Sequence, residues 1–366
     1  MTAAYRALFC DLLTDQVIDV LPLLETQFDD FIGKPGSLSA TVPLPNAAVA
    51  ARARTALTPG RTAVWLERDA EIWWGGVLWT CTPAGDERGR LQVQIQAGGF
   101  DSYLDHRYLS QTLTFTGEDQ LDIARALIDH LQAQPGGDIG IEYGREASGV
   151  VRSHTYLLTD LARVREILEA LAATENGFEW RIAAYRDTGS GRRVKRLQVG
   201  HPVIQTGAAD IVLDRPGPVT AYSLPGDSTV QANVWVARGE ADNTNQAAES
   251  VPRTAGPVVS EEDLTAGWPR LEGSSDHSSV TDTAVLEREA RAALARARRP
   301  QVIPEITVLM DDGRIRPALL GSSIRLRIRD LWHPDGLDAR YRVVGLAVTP
   351  PARGQAESAK LYLEEA

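Results

Sequence analysis

The chain has 366 residues, 43% of them hydrophobic and 24% charged, with a formal charge of −11. That length and balance suit two to four domains with buried cores and exclude wholesale disorder. The acidic excess argues against general affinity for nucleic acid, which clustered Lys and Arg carry.

Two cysteines, Cys10 and Cys81, form no CxxC and no disulfide framework, as expected of a chain made under reducing conditions. The start, MTAAYRALFCDLLTDQ, lacks the order of a signal peptide, and no run reaches the roughly eighteen apolar residues of a transmembrane helix.

Residues 5–24 predict a hairpin that turns at Thr14-Asp15 and ends near Pro22. In GSLSATVPLP, Leu38, Ala40 and Val42 alternate with small polar residues, and Pro43 and Pro45 suit a sheet edge. Three antiparallel strands follow at 62–67, 71–82 and 89–97, with turns at 68–70 and 83–88. The middle strand carries EIWWGGVLWT. Alternation places Ile72, Trp74, Gly76 and Leu78 on one face and Trp73, Gly75, Val77 and Trp79 on the other. Both faces are apolar, so the strand needs cover on two sides. The outer cover is either a neighbouring domain of the same chain or a second subunit. On the second alternative Trp65, Trp73, Val77 and Trp79 are the interface residues. Gly75 and Gly76 are expected at a bulge or tight bend that curls the sheet into a barrel, and Gly345 at the matching place near the C-terminus.

From residue 118 the period becomes helical. Leu121, Ala124, Leu127, Ile128 and Leu131 form one stripe, stopped by Pro135-Gly136. A second helix is expected after a Thr159 or Asp160 cap, with Leu161, Val164, Ile167, Leu168 and Leu171 as its stripe and Gly177 as its end. Residues 178–200 predict a hairpin with a loop at 187–191, and short strands return up to residue 240. Residues 240–280 predict extended loops. A third helix runs from an Asp282 cap to Pro300, with a narrow stripe of Leu286, Ala290, Ala293, Leu294 and Ala297. The last seventy or so residues predict strands again.

The C-terminal strands echo the first set: IRLRIRD, YRVVGLAVTPP and SAKLYLEE line up with AVWLERD, WWGGVLWTCTP and RLQVQIQ. The expected fold class is mainly β with α+β insertions: two related small antiparallel β-barrels plus helix-containing domains. The expected boundaries are 1–109 for the first barrel, 110–205 for an α+β domain, 206–240 with 300–366 for the second barrel, and 241–299 for a loop-rich insertion with one helix.

Signals for chemistry are weak. The six histidines never form HxH or HExxH, so neither metal nor cofactor is expected, and GxSxG, GxxxxGK[ST] and GxGxxG after a strand are missing. Acidic pairs at Asp29-Asp30, Glu261-Glu262 and Asp311-Asp312 suit solvated loops better than glycosidase carboxylates. ARARRP at 295–300 suits the C-terminus of a helix better than a phosphate site. No catalytic residue is expected.

Taken together, the opening YRALFCDLLTDQVIDVLP, the VWLERDAEIWWGGVLWTCTP hairpin, the helix TAVLEREARAALARARRPQ and the closing LLGSSIRLRIRDLWHPDGLDARYRVVGLAVTPP resemble the tail or baseplate hub proteins of phages and contractile injection machines. The chain has Gly321-Ser322 where many relatives show Gly-Asp. The resemblance implies a structural, non-enzymatic hub: a homotrimer whose two barrels per subunit alternate in a pseudo-sixfold ring. It implies a tail tube or distal tail protein above, a spike or fibre protein below, and DNA passing through a channel without specific binding. It also implies assembly in the host cytoplasm and a place at the virion tail tip. Hub proteins of this kind often carry a downstream lysozyme, peptidase or spike domain, and no fused lysin is expected here because the sequence stops at YLEEA after its last strand. The alternatives are a tail-associated cell-wall hydrolase or binding protein, and the hub of an injection particle.

Overall fold

The computed structural model describes residues 5–87, 89–207, 210–241, 251–277, 280–298, 304–310, 313–352 and 354–365. These residues are mainly β with several helices, in two compact units: Met1–Ala172 with Asn176–Tyr222 and Glu305–Ala366, and Ala173–Glu175 with Ser223–Pro304.

The larger unit opens with β1 (Tyr5–Asp11), β2 (Val17–Leu21), β3 (Leu24–Phe31), β4 (Ser37–Leu44), α1 (Ala47–Ala56), β5 (Thr62–Arg68), β6 (Glu71–Gly85) and β7 (Leu91–Gly99). The β1–β2 turn forms at the expected place, with Asp15 at φ 56° and Asp11 Oδ1 accepting the Leu13 and Thr14 amides. Two elements here have no counterpart in the sequence prediction. Only Phe28 of β3 is fully buried, so the strand shows no clean alternation. α1 is capped by Asn46, whose Oδ1 accepts the Val49 amide at 3.0 Å, and buries only the small Ala53 and Ala56. Such a helix has no visible apolar stripe.

These strands pair in the order β3-β4-β7-β6-β5-β1-β2. α1 packs on both β2 and β4, which stand far apart in that ladder, and Arg52 of α1 binds Asp19 of β2 through Nε at 2.8 Å. The sheet therefore curls, with α1 across the seam.

Next come β8 (Leu113–Asp119), α2 (Gln120–Gln132), β9 (Ile141–Tyr143), β10 (Val151–Tyr156), α3 (Val164–Ala172), β11 (Glu179–Arg186) and β12 (Arg193–Gly200). Asp119 caps α2 through the Leu121 amide at 2.8 Å, and the expected stripe is buried. α3 begins later than its expected cap. Leu158–Asp160 form a 3-10 turn and Leu161 adopts φ 47°, a left-handed conformation that cannot continue a helix. Leu161 is consequently exposed, while Val164, Ile167, Leu168 and Leu171 are buried as expected. β11 and β12 form the expected hairpin, with β9 added in parallel to β12.

After β13 (Ile211–Arg215) and β14 (Val219–Ser223), the smaller unit contains β15 (Val234–Ala241), β16 (Pro252–Val259), α4 (Glu261–Thr265), β17 (Glu272–Asp276) and α5 (Thr283–Ala297). β15 is central, antiparallel to β16 and parallel to β17. α5 starts at Asp282, as expected, and buries Leu286, Ala290 and Leu294. Strands and a short helix thus replace the loops expected over 251–276; they bury little, Ala255 in β16 and Asp263 in α4, so the sequence shows no period there. The expected stop at Pro300 lies outside the described residues.

The chain returns to the larger unit as β18 (Glu305–Leu309), β19 (Ser323–Ile328), β20 (Leu337–Thr349) and β21 (Ser358–Glu365). β19-β20-β21 repeat the antiparallel meander of β5-β6-β7. β20 also pairs with β3, from Gly345↔Phe31 to Val348↔Phe28. The strands of the two β halves therefore share one thirteen-stranded sheet, and one core runs through both, from Phe9 and Trp74 to Leu346 and Leu361.

Candidate functional site

β1, β5 and β6 sort their side chains onto two cores. Ala7, Phe9, Val64, Leu66, Trp74 and Leu78 enter the core shared by the two β halves. Leu8, Cys10, Ala63, Trp65, Ile72 and Val77 enter a second core with Leu127 of α2, Leu168 of α3 and Trp180 of β11. The outer cover demanded by the aromatic strand comes from the chain's own α+β layer.

This corrects the interface assignment of three residues. Trp65 is fully buried, its ring centroid 4.9 Å from that of Phe100 and its Nε1 donating to Asp15 Oδ1 at 2.8 Å. Trp73 and Val77 are buried too, so none of the three has surface left for another subunit. Trp79 is half-buried, donating to Ser102 Oγ at 2.8 Å with its ring 4.4 Å from His106.

The bulges of β6 fall on tryptophans instead of glycines. Leu66 faces Trp74 and Glu67 faces Ile72, which leaves Trp73 as the extra residue. A second shift at Trp79 lies between Leu78↔Ala97 and Thr80↔Gln96. The first bulge exchanges faces locally: Trp73 joins the shared core and Ile72 the outer one. Gly75 and Gly76 sit in regular register opposite Trp65 and Val64. Their need is close approach, since a Cβ at Gly75 would lie 2.8 Å from Ala184 and Phe100, and one at Gly76 2.0 Å from Gly98 O. Gly345 follows the extra residue of a bulge in β20, and a Cβ there would lie 2.3 Å from the Phe31 ring.

Buried charges tie the layers together. Lys195 Nζ donates to Ile139 O at 2.6 Å and Leu12 O at 3.2 Å, and burial lowers its pKa. Asp101 is buried 3.6 Å from Arg165 Nη1, and burial pushes its carboxyl up to about 7. Arg342 of β20 binds Glu179 of β11 through Nη1 at 2.7 Å and Glu364 through Nε at 2.7 Å. Arg68 of β5 grips Glu357, in the loop before β21, with Nε and Nη2, both at 2.7 Å.

Of the acidic pairs, Asp29, Asp30 and Glu262 have structural partners. Asp29 accepts the Ser37 amide at 2.6 Å, whereas Asp30 pairs with Arg181 at 3.2 Å. Glu262 and Asp263 bind Arg298, each at 2.7 Å. Asp311-Asp312 lie outside the described residues. Among the described residues no group of three or more His, Cys, Asp or Glu is placed to hold a metal ion, and no helix is long and apolar enough to cross a membrane.

Two apolar features reach the surface, one outside these cores and one opening onto the shared core. In the turn after β19, Leu331 is 102% and Trp332 82% exposed. Asp330 holds this turn: its Oδ1 accepts the Trp332 and His333 amides at 3.0 Å each, and its Oδ2 accepts Tyr222 Oη–H at 2.5 Å. The other feature is a groove of about 530 Å³ between α1 and the β6–β7 arm. Ala53, Leu57 and Val93 are its buried lining, Leu44, Cys81 and Leu91 are more open, and Arg54 adjoins them. The sequence signal for the turn is RDLWHPDG, a Leu-Trp pair among turn-forming residues.

No protein-family model matches the sequence, and no curated protein matches it. Solved structures do match its fold along its whole length. The tail protein from Neisseria meningitidis MC58 is 14% identical, with 99% of this chain and 97% of that chain covered and a TM-score of 0.60. The 43 kDa tail protein of prophage MuSo2 from Shewanella oneidensis is 11% identical, covering 99% and 98%, with a TM-score of 0.62. The E. coli c3393 protein is a component of the type VI secretion system with structural similarity to the T4 bacteriophage tail proteins gp27 and gp5. It is 9% identical, covering 100% and 75%, with a TM-score of 0.51.

The chain has the fold of these phage tail proteins. In this fold the tryptophan-rich strand is a core element shared by two layers. Exposed apolar side chains lie elsewhere, among them Leu331 and Trp332 in the turn after β19 and Leu91 at the α1 groove.

Proposed function

We propose that the chain is a structural hub of a phage tail tip or baseplate. Three copies form a ring in which first and second β halves alternate, giving a pseudo-sixfold annulus between the tail tube and a central spike or fibre. DNA crosses the annulus without specific binding, in keeping with the charge of −11. The particle forms in the host cytoplasm and the protein sits at the virion tail tip.

The observation that carries this proposal is end-to-end correspondence with tail proteins, including 97% of the Neisseria chain. The layout supports it: each chain carries two meanders of the same strand order, so threefold symmetry yields six comparable β units. Native mass spectrometry and rotational averaging of electron micrographs test it. A mass three times that of the chain, with six lobes around a hole, is the expected result; a monomer at tens of micromolar, alone and with its tube partner, overturns it.

A place in a contractile injection particle is the second reading, favoured by the similarity to the type VI component from E. coli. Particles purified with the chain in place separate the two: packaged DNA marks a virion, and its absence an injection machine.

A further inference from the structure

We propose that the Leu331–Trp332 turn is a knob that seats in the α1 groove of a neighbouring copy, making the head-to-tail contact that closes the ring. The inference rests on the hub reading and adds to it the surfaces by which one copy holds the next.

Leu331 and Trp332 are the two most exposed large apolar side chains among the described residues. Fully solvated apolar side chains side by side on an ordered turn mark an interaction site. The turn is already fixed by the three hydrogen bonds to Asp330, by Gly336 N donating to His333 O at 3.1 Å, and by Arg329 N donating to Arg215 O at 3.1 Å. Docking would therefore freeze little that is not already frozen, which is how a small aromatic knob gains affinity.

The groove is the complementary feature. Its apolar lining, from Ala53 and Leu57 to Leu91, suits an indole and an isobutyl group, and it is distinct from the knob: the same chain's Leu331 and Trp332 are exposed to solvent. Two different patches on one chain make a heterologous contact, the kind that builds rings; a twofold dimer would pair a patch with itself. Charge fits the same pairing. Arg54 lines the groove and Asp335 follows the knob by three residues, both exposed, and neither has an ion-pair partner among the described residues. These observations favour a second copy of this chain as the occupant.

Cys81 supplies the test, because it is a free thiol lining the groove, whereas Cys10 is buried in the outer core. Leu331→Cys in the full chain is treated with a short bismaleimide, which joins two thiols as thioethers. Covalent dimers and trimers are expected on a denaturing gel, and they should vanish in Leu331→Cys/Cys81→Ala. Trp332→Ala should raise the concentration for half-assembly about thirtyfold or more, the size of a hot-spot truncation, with the melting of the dissociated chain unchanged. Arg54→Glu should weaken assembly and Asp335→Arg restore it in the double variant. A wild-type trimer with no crosslink and no effect of Trp332→Ala overturns the knob and leaves the hub standing; this includes the case in which Trp332 instead binds a tube or spike protein. A wild-type chain that never assembles overturns both.

Discussion

The two β halves of the larger unit share a strand order but close their faces differently. In the first half, β5 and the opening of β6 are buried on both faces, one in the shared core and one under the α+β layer. In the second half, β19 and β21 alternate cleanly: Ile324, Leu326, Ala359, Leu361 and Leu363 point inward, while Arg325, Arg327 and Lys360 stay more open and pair with Asp338 and Glu305. The same meander can thus serve as a middle layer or an outer wall. What decides is whether the outward positions carry indoles and valines or charges.

Substitutions on the two halves separate the two kinds of wall. The largest effect is expected at Trp65→Ala, an outward position of the first half, which should cost about 3–5 kcal/mol in denaturant unfolding. A loss below about 1 kcal/mol would mean the outer face is not a core.

Next comes the pH response under the α+β layer. Asp101 is held near 7 by burial against an ordinary carboxylate value of 3.8, so the folded chain keeps a proton there that the unfolded chain has released. Its contribution is full below about pH 4 and is lost as pH rises through about 7, on the order of 4 kcal/mol across that window. Asp101→Asn should flatten that part of the stability–pH curve; an unchanged slope would place the titration elsewhere.

Smaller is the link between the halves. Arg68→Ala leaves Glu357, among the described residues, with the Tyr5 hydroxyl as its one side-chain partner, donated at 2.5 Å, and should cost about 2 kcal/mol in thermal or chemical unfolding. Smallest is Arg325→Ala on the outer wall. Its partner Asp338 is about as exposed as Arg325 itself, and the change should stay within about 0.5 kcal/mol. A loss as large as that at Trp65 would erase the distinction between the halves.

Much of the framework was legible in the sequence because it is written in period and caps. The 71–82 strand, the stripe of α2, the 178–200 hairpin and the Asp282 cap all appear where expected. The two-faced pattern of EIWWGGVLWT correctly demanded cover on both sides. What alternation does not carry is whose residues supply the cover, since a domain of the same chain and a neighbouring subunit present the same apolar chemistry. Nor does it reveal that a bulge at Trp73 sends Ile72 to the opposite core. α1, β3 and β16 leave no periodic trace because they bury alanines or single residues, and β17 leaves none because it buries no residue. Periodicity does not reveal the exposure of Leu331 and Trp332, which the Asp330-held turn keeps outside.

Hydroxyl-radical footprinting of the tryptophans, read by mass spectrometry on dilute and on concentrated chain, decides whether the aromatic strand is enclosed by its own chain. Trp65 and Trp73 should resist oxidation equally in both samples, as residues enclosed by their own chain, while Trp332 should react when dilute and become protected on assembly. Oxidation of Trp65 and Trp73 in the dilute chain, followed by protection on assembly, would contradict the account and return the aromatic strand to the subunit interface.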